Sequence, residues 1–243
     1  MPSYNTGKRL FCTVTDARRH WEPVWVVVDG STDGSGEALA EHSRQQHGLK
    51  VIVRCRNGGK GAAVLAALSA ATVEGFTHVL VMDADGQHPA SSIPEFMALS
   101  RLNPAAMILG VPVFDRSAPW LRVVGRRVSN AWAKIETLGA VGDSLFGFRV
   151  YPIASLQAIM GVSRRMRRFD FDVEAAVRLW WYGVPVINHQ APVRYFRAAD
   201  GGVSHFRYGR DNIVLAAMHA RLMAGFIGRL PRLAGQHFKS SRH

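Results

Sequence analysis

Two aspartates, Asp83 and Asp85, stand directly after the apolar run Val79-Leu80-Val81-Met82. Carboxylates do not belong in a core unless they are paired or bound to a metal. At the C-terminal end of a strand they fall where open α/β sheets place their ligands. The chemistry on offer there is a hard-oxygen site for a divalent cation that carries phosphates. An ordinary acidic turn is the competing reading, because Asp-Gly is a good turn pair and Gly86 and Pro89 close the segment.

Other reactive groups sit at similar punctuation points. Asp29-Gly30-Ser31-Thr32-Asp33-Gly34-Ser35 follows the apolar run from Val24 to Val28, and Asp33 or Ser35 can cap the next helix. Asn57-Gly58-Gly59-Lys60-Gly61 permits tight turns and presents Lys60 as a point charge for phosphate. It lacks the Walker spacing, and turn chemistry alone accounts for it equally well. Asp143 opens Asp143-Ser144-Leu145-Phe146-Gly147-Phe148-Arg149. Arg164, Arg165, Arg167 and Arg168 form a basic run, either a phosphate-positioning set or a solvated loop. Asp170 and Asp172 open a helical stretch, where the helix dipole is a sufficient reason for acidic residues.

The elements that position these groups alternate. Leu10 to Val14 reads as a first short strand, followed by a polar stretch from Asp16 to Glu22 too short for a crossover helix. Strands are expected at Val24–Val28, Val51–Val53, Val79–Met82 and Ala106–Gly110, with helices over Glu37–Gln46, Ala62–Val73 and Ile93–Ser100. That order implies an α/β fold with a mostly parallel central sheet and helices on both faces. The second half is less regular. Helices are expected over Leu121–Leu138, Ser155–Met160 and Asp170–Trp181, strands over Val184–Asn188 and Ala191–Tyr195, and an amphipathic helix from Ser204 to about Leu230.

Composition bounds the partners. The chain has 243 residues, 48% hydrophobic, with a formal net charge of +12. Such a balance favours an anionic partner: a phosphorylated substrate, an acidic membrane surface or nucleic acid. No helix-turn-helix, zinc-finger or RNP-type pattern accompanies the charge, so no nucleic-acid partner is expected. A non-enzymatic nucleic-acid-binding module is the outside alternative. Cys12 and Cys55 make no disulfide scaffold and fit a reducing compartment. No signal segment and no membrane span are expected. The most apolar stretch, Ile213 to Gly228, is interrupted by His219 and Arg221 and falls short of a spanning length.

Taken in order, Val28 to Gly34, Asn57 to Gly61, Asp83 to Pro89, Asp143 to Phe148, and Phe169 to Glu174 resemble the motifs of a family 2 glycosyltransferase. The likeness runs over roughly residues 10 to 210. It is strongest to dolichyl-phosphate mannosyltransferase-like and undecaprenyl-phosphate sugar transferases. The resemblance implies a GT-A nucleotide-diphospho-sugar transferase fold in a single domain over residues 8–200, with a basic C-terminal helical extension over 201–243. It also implies inverting transfer from a nucleoside-diphosphate sugar, UDP- or GDP-linked, assisted by Mg²⁺ or Mn²⁺.

By the same resemblance Asp85 is the metal ligand and, with Asp143, a catalytic residue. Asp29, Asp33, Lys60, Asp83, Asp85, Gln87, His205 and Arg207 meet the donor, the last two within Ser204-His205-Phe206-Arg207. The family's Pro-x-Tyr-Asn-Glu-like segment corresponds to Thr13-Val14-Thr15-Asp16-Ala17, a departure that falls on the nucleotide pocket. For a hydroxyl acceptor, Asp143 is the candidate general base. For a polyprenyl-phosphate acceptor no strong base is needed, and Arg126, Arg127 and Arg165 are the positioning cations. The basic C-terminal helix is expected either to lie on an anionic membrane, placing the enzyme peripherally on the cytoplasmic face, or to pack on the core or at a homodimer interface.

Overall fold

Strand β2 (Val24–Asp29) is apolar until its last residue. It is the middle strand of a three-stranded parallel sheet, between β1 (Pro2–Ser3) and β3 (Leu49–Arg54). The computed structural model describes residues 1–114, 120–163, 165–194 and 208–240.

The segment expected as a first strand is helical. Leu10 to Val14 lies inside α1 (Arg9–His20). Its buried residues Leu10, Val14 and Ala17 follow the i, i+4, i+7 spacing of one helix face, and Thr13 returns its hydroxyl to the Arg9 carbonyl at 2.9 Å. A full crossover helix therefore joins β1 to β2. The sheet begins at Pro2, ahead of the expected domain start at residue 8. This also moves the Pro-x-Tyr-Asn pattern. It stands as Pro2-Ser3-Tyr4-Asn5, at the end of β1, and not at Thr13–Ala17. Asn5 ties that segment to the loop after β2: its side-chain carbonyl accepts from the Thr32 N–H at 2.7 Å, and its own N–H donates to Ser31 Oγ at 3.0 Å.

Helix α2 (Ser35–Ser43) leads to β3, and α3 (Lys60–Val73) leads to β4 (His78–Val81). Helix α4 (Ile93–Leu102), begun by Pro94, precedes β5 (Met107–Val113). Then come α5 (Trp120–Glu136), β6 (Arg149–Pro152), α6 (Ile153–Val162), α7 (Phe171–Tyr182), β7 (Val186–Pro192) and α8 (Tyr208–Ser240). The second sheet has the order β4-β6-β5-β7. Strand β6 runs antiparallel to both β4 and β5, and β7 is parallel to β5. Residues expected as two strands after α7 form the single strand β7 as far as Pro192. The fold is GT-A-like α/β, with β6 reversing direction in its middle.

Three apolar cores hold these layers. One joins α1, β2 and α4, another joins α3, α6 and α7 to β4 and β5, and the third lies between α5, α7 and α8. Phe96, fully buried against Phe148 with ring centroids 4.7 Å apart, is typical; its truncation to Ala would cost about 3–5 kcal/mol. The third core uses Met218, Leu222, Phe226 and Leu233 of α8. Helix α8 continues well past the expected end, and Ile213–Leu233 is long and apolar enough to cross a membrane by length and composition, with 22% of that window buried. That corrects the expectation that no segment reaches such a length. The helix does not stop at Gly228, and His219 lies buried on the protein-facing side.

Candidate functional site

Asp29 ends β2 and is 2% exposed. Its carboxylate accepts the N–H groups of Gly58 at 3.0 Å and Gly59 at 2.6 Å, and it pairs with Arg54. The acidic end of one strand thus fixes the glycine-rich turn after the next. Gly30 must be glycine at this crossing: its φ is +66°, and a Cβ there would lie 2.4 Å from the Asn57 nitrogen. Asp33 has a local task. It accepts from the Gly7 N–H at 2.8 Å and from the Ser35 N–H and hydroxyl at 3.1 and 2.7 Å, at the start of α2. Burial opposes ionisation, but these hydrogen bonds hold its carboxyl below the usual range.

The turn delivers Lys60 as the first residue of α3. Its ammonium lies 2.6 Å from Asp83 Oδ1 and 2.6 Å from Asp172 Oδ2. Burial disfavours the charge, yet Asp172 and Asp83 more than restore it, and the ammonium titrates well above the usual lysine range. Gly147 closes over this pair; a Cβ there would stand 2.5 Å from Lys60 Nζ and 2.7 Å from Asp83 Oδ2. The Asp143–Phe148 loop therefore lies directly on the Lys60–Asp83 contact.

Asp83 keeps a third of its side chain exposed, and His88 sits on its inner side with Nε2 3.6 Å from Oδ2. The Asp83 N–H donates to His88 Nδ1 at 3.3 Å, which places the ring proton on Nε2. Phe146 lies against that ring at 4.8 Å between centroids. Burial outweighs the attraction of Asp83 and pushes the His88 pKa down to about 4. Asp85 is half-buried, and its Oδ1 accepts the Gln87 N–H at 2.9 Å; the Gln87 carbonyl accepts from the Arg194 N–H at 3.0 Å.

Asp143 is 3% exposed and heavily satisfied. Oδ1 accepts Arg126 Nη1 at 2.6 Å and the N–H groups of Leu145 and Phe146 at 2.9 and 2.7 Å, while Oδ2 accepts Asn130 Nδ2 at 2.8 Å. Burial raises its pKa, but Arg126, Asn130 and Arg149 hold the carboxyl below the ordinary range. Arg149 is fully buried and acts as a bolt. Its guanidinium donates to the carbonyls of Phe146 at 2.7 Å and Asp143 at 3.2 Å, and also to the Asp172 carbonyl.

The structure brings together Lys60, Asp83, Asp143 and Arg126 from the expected set, with Asp29 beneath. Asp85 and Gln87 lie beside them at the end of β4. Arg127 and Arg165 are exposed, and among the described residues neither makes a hydrogen bond or ion pair to this cluster. His205 and Arg207 lie outside the described residues. Sequence reasoning missed the roles of Asp172, His88 and Arg149. Asp172 is a partner for Lys60, not only an acid at a helix start, and its Oδ1 is buried with no hydrogen-bond partner. A signal was present: Asp172 lies in a face of α7 that is otherwise Phe171, Ala175, Ala176 and Leu179, where a carboxylate needs a cation.

A divalent cation fits the strand end. The donors are hard carboxylate oxygens, suited to Mg²⁺ or Mn²⁺. Among the described residues no group of three or more His, Cys, Asp or Glu forms a cage. An ion held by one or two carboxylates with substrate phosphates completing the shell needs no cage.

The family model described as "Glycosyl transferase family 2" matches residues 1–156. Polyprenol monophosphomannose synthase of Mycolicibacterium smegmatis is 26% identical over 252 residues, covering 97% of this chain and 89% of that protein. Undecaprenyl-phosphate mannosyltransferase of Micrococcus luteus is 25% identical over 198 residues, covering 77% and 79%. Among solved structures, glucosyl-3-phosphoglycerate synthase of Mycobacterium tuberculosis, in complex with Mn²⁺, UDP and glucosyl-3-phosphoglycerate, superposes with a TM-score of 0.64 at 18% identity. The match covers 94% of this chain and 77% of that one.

Proposed function

The chain belongs to glycosyl transferase family 2 and is a glycosyltransferase, and from this premise we propose that it transfers a sugar, with inversion, from a nucleoside-diphosphate sugar to a polyprenyl phosphate. The observation that carries the acceptor class is the state of Asp143. Its carboxylate is filled by Arg126, Asn130 and two backbone N–H groups and held ionised. A group so occupied is a poor proton acceptor. A phosphate acceptor brings its own anion and needs a cation to orient it, and Arg126 stands there with 16% of its side chain exposed. The names of the two relatives quoted above agree with that chemistry.

In this reading Asp85 holds Mg²⁺ or Mn²⁺ at the end of β4. Such an ion, when bound, supplies Lewis-acid charge to the diphosphate leaving group. Lys60 fixes Asp83 and Asp172 in one orientation and adds positive charge behind the same point. Asp143 aims Arg126, and Arg126 holds the acceptor phosphate.

In this reading α5 and α8 meet the membrane. Val128, Trp132 and Ile135 of α5 and Ile213, Val214, Ile227 and Leu230 of α8 are exposed. Arg127, Lys134, Arg229 and Arg232 on the same helices are also exposed. Apolar side chains in the headgroup region with cations toward anionic lipid make a peripheral attachment. A second reading keeps the donor and takes a soluble hydroxyl acceptor, which would need Asp143 as its base.

The test is transfer from UDP- and GDP-sugars with Mn²⁺ to undecaprenyl phosphate or to 3-phosphoglycerate, with the nucleotide product identified. The proposal expects lipid-linked sugar and free nucleoside diphosphate. Transfer to the soluble hydroxyl acceptor alone supports the second reading, and release of pyrophosphate defeats both.

A further inference from the structure

An unbroken run of hydrogen bonds joins α8 to Asp143. It passes through Glu136, His219, Ser129, Ser144 and Asn130, and each of these but Asn130 is almost wholly buried. Glu136 Oε1 lies 3.0 Å from His219 Nδ1, and His219 Nε2 lies 2.9 Å from Ser129 Oγ. Ser129 Oγ is 3.4 Å from Ser144 Oγ, the Ser144 hydroxyl donates to Asn130 Oδ1 at 2.8 Å, and Asn130 Nδ2 donates to Asp143 Oδ2 at 2.8 Å.

Proton bookkeeping gives the run a direction. An ionised carboxylate only accepts, so Asn130 must turn its NH₂ to Asp143. Its carbonyl then receives both the N–H and the O–H of Ser144, each at 2.8 Å. The Ser144 proton is committed, so Ser129 donates to Ser144. Ser129 has then used its own proton and must accept from His219, which carries a proton on Nε2. On the far side Nδ1 meets Glu136 in one of two forms, glutamate beneath an imidazolium or glutamic acid donating to a neutral ring. Both leave Nε2 protonated, and from Nε2 onward every donor points toward Asp143. Hydrogen bonds chained in this sense strengthen one another.

The geometry excludes a simpler function. Ser, His and Glu at these distances have the order of a nucleophilic triad, but Ser129 lies 6% exposed between two helices, with no access for a substrate. What the run reaches is the site. Asp143 faces Arg126 and Arg149, Glu136 faces His219, and Arg221, two residues along α8, lies 3.6 Å from Glu174 of α7. Trp132, half-exposed on the apolar face of α5, stacks on the His219 ring at 6.3 Å.

We propose that His219 is a positioning residue for the acceptor end of the site: through Ser129, Ser144 and Asn130 it fixes the Asp143 carboxylate, which in turn aims Arg126. The role assigned to Arg126 rests on the polyprenyl-phosphate reading; the hold on Asp143 does not. The seating of α8, and of Trp132 beside it, is thereby tied to the geometry that meets the acceptor.

Calorimetric titration of the full chain with farnesyl phosphate, and separately with UDP and Mn²⁺, tests the acceptor half. His219→Ala should weaken farnesyl phosphate binding about tenfold, the scale of one hydrogen bond to a charged group. UDP binding should stay within about twofold. His219→Gln, whose amide can donate where Nε2 does, should recover most of the loss. Leu222→Ala, in the same helix and the same core, should lose thermal stability and keep both affinities.

The second measurement needs no ligand. In protein labelled with ¹³C at the aspartate carboxyls, with Asp143 assigned by its loss in Asp143→Asn, the Asp143 carboxyl should titrate at higher pH in His219→Ala than in the parent. If that variant does not fold, Ser129→Ala interrupts the same run. An Asp143 titration unchanged in a folded variant overturns the proposal, whatever the acceptor. A shifted titration in a protein that ignores farnesyl phosphate supports the hold on Asp143 and overturns the acceptor reading instead.

Discussion

Lys60 Nζ and Asp172 Oδ2 lie 2.6 Å apart although 112 residues separate them. The contact joins the glycine-rich turn before α3 to the first turn of α7, so the two halves of the chain meet at one ammonium. Removing one partner of a buried ion pair leaves the other charge stranded. Lys60→Met should lower unfolding stability by on the order of 3 kcal/mol in urea denaturation, and should abolish turnover. Lys60→Arg should not rescue it, because Gly147 leaves no room for a wider head group.

Asp85 makes the opposite case. It is only half-buried, in the turn beyond β4, so its removal strands no fully buried charge. Asp85→Ala should shift unfolding stability by less than about 1 kcal/mol and reduce Mn²⁺-dependent transfer by at least about 100-fold. Full transfer in EDTA by this variant would remove Asp85 from the metal site.

Arg126 should separate acceptor from donor. Arg126→Lys keeps the charge but loses the planar fork. It should raise the KM for undecaprenyl phosphate by about tenfold, with the KM for the sugar nucleotide little changed. Equal increases in both constants would place Arg126 at the donor.

His88 predicts a pH dependence of stability. Its folded pKa is lowered to about 4 from 6.5, so between those values the unfolded chain binds a proton that the native protein refuses. Stability of the metal-free protein should be level above pH 6.5 and fall as pH drops toward 4, by on the order of 3 kcal/mol. His88→Gln should flatten that window in chemical denaturation series at stepped pH.

Much of the architecture was legible because apolar runs and turn residues agree. β2, β3 and β4 lie close to where Val24, Val51 and Val79 announce them. Helix α1 was not, because Leu10, Phe11, Cys12 and Val14 read as a short apolar run until Ala17 supplies the helical period. β6 escaped because Arg149, a charged residue, is one of its buried members. In the site, strand-end acids and the glycine-rich lysine were visible as residue types. Their pairing was not, since nothing in local spacing says that Lys60 will choose Asp172 over a phosphate.

Gly61 carries a consequence for how the arginines near residue 165 can vary. A Cβ there would sit 1.9 Å from the Met166 carbonyl oxygen, and the Ala62 N–H donates to the Arg167 carbonyl at 3.1 Å. Met166 itself is fully buried with a φ of +48°. The backbone of that basic segment is therefore keyed into a notch on α3, while Arg165 and Arg168 on either side of the key face solvent. Those side chains can be substituted without redrawing the loop, so long as the notch keeps its glycine.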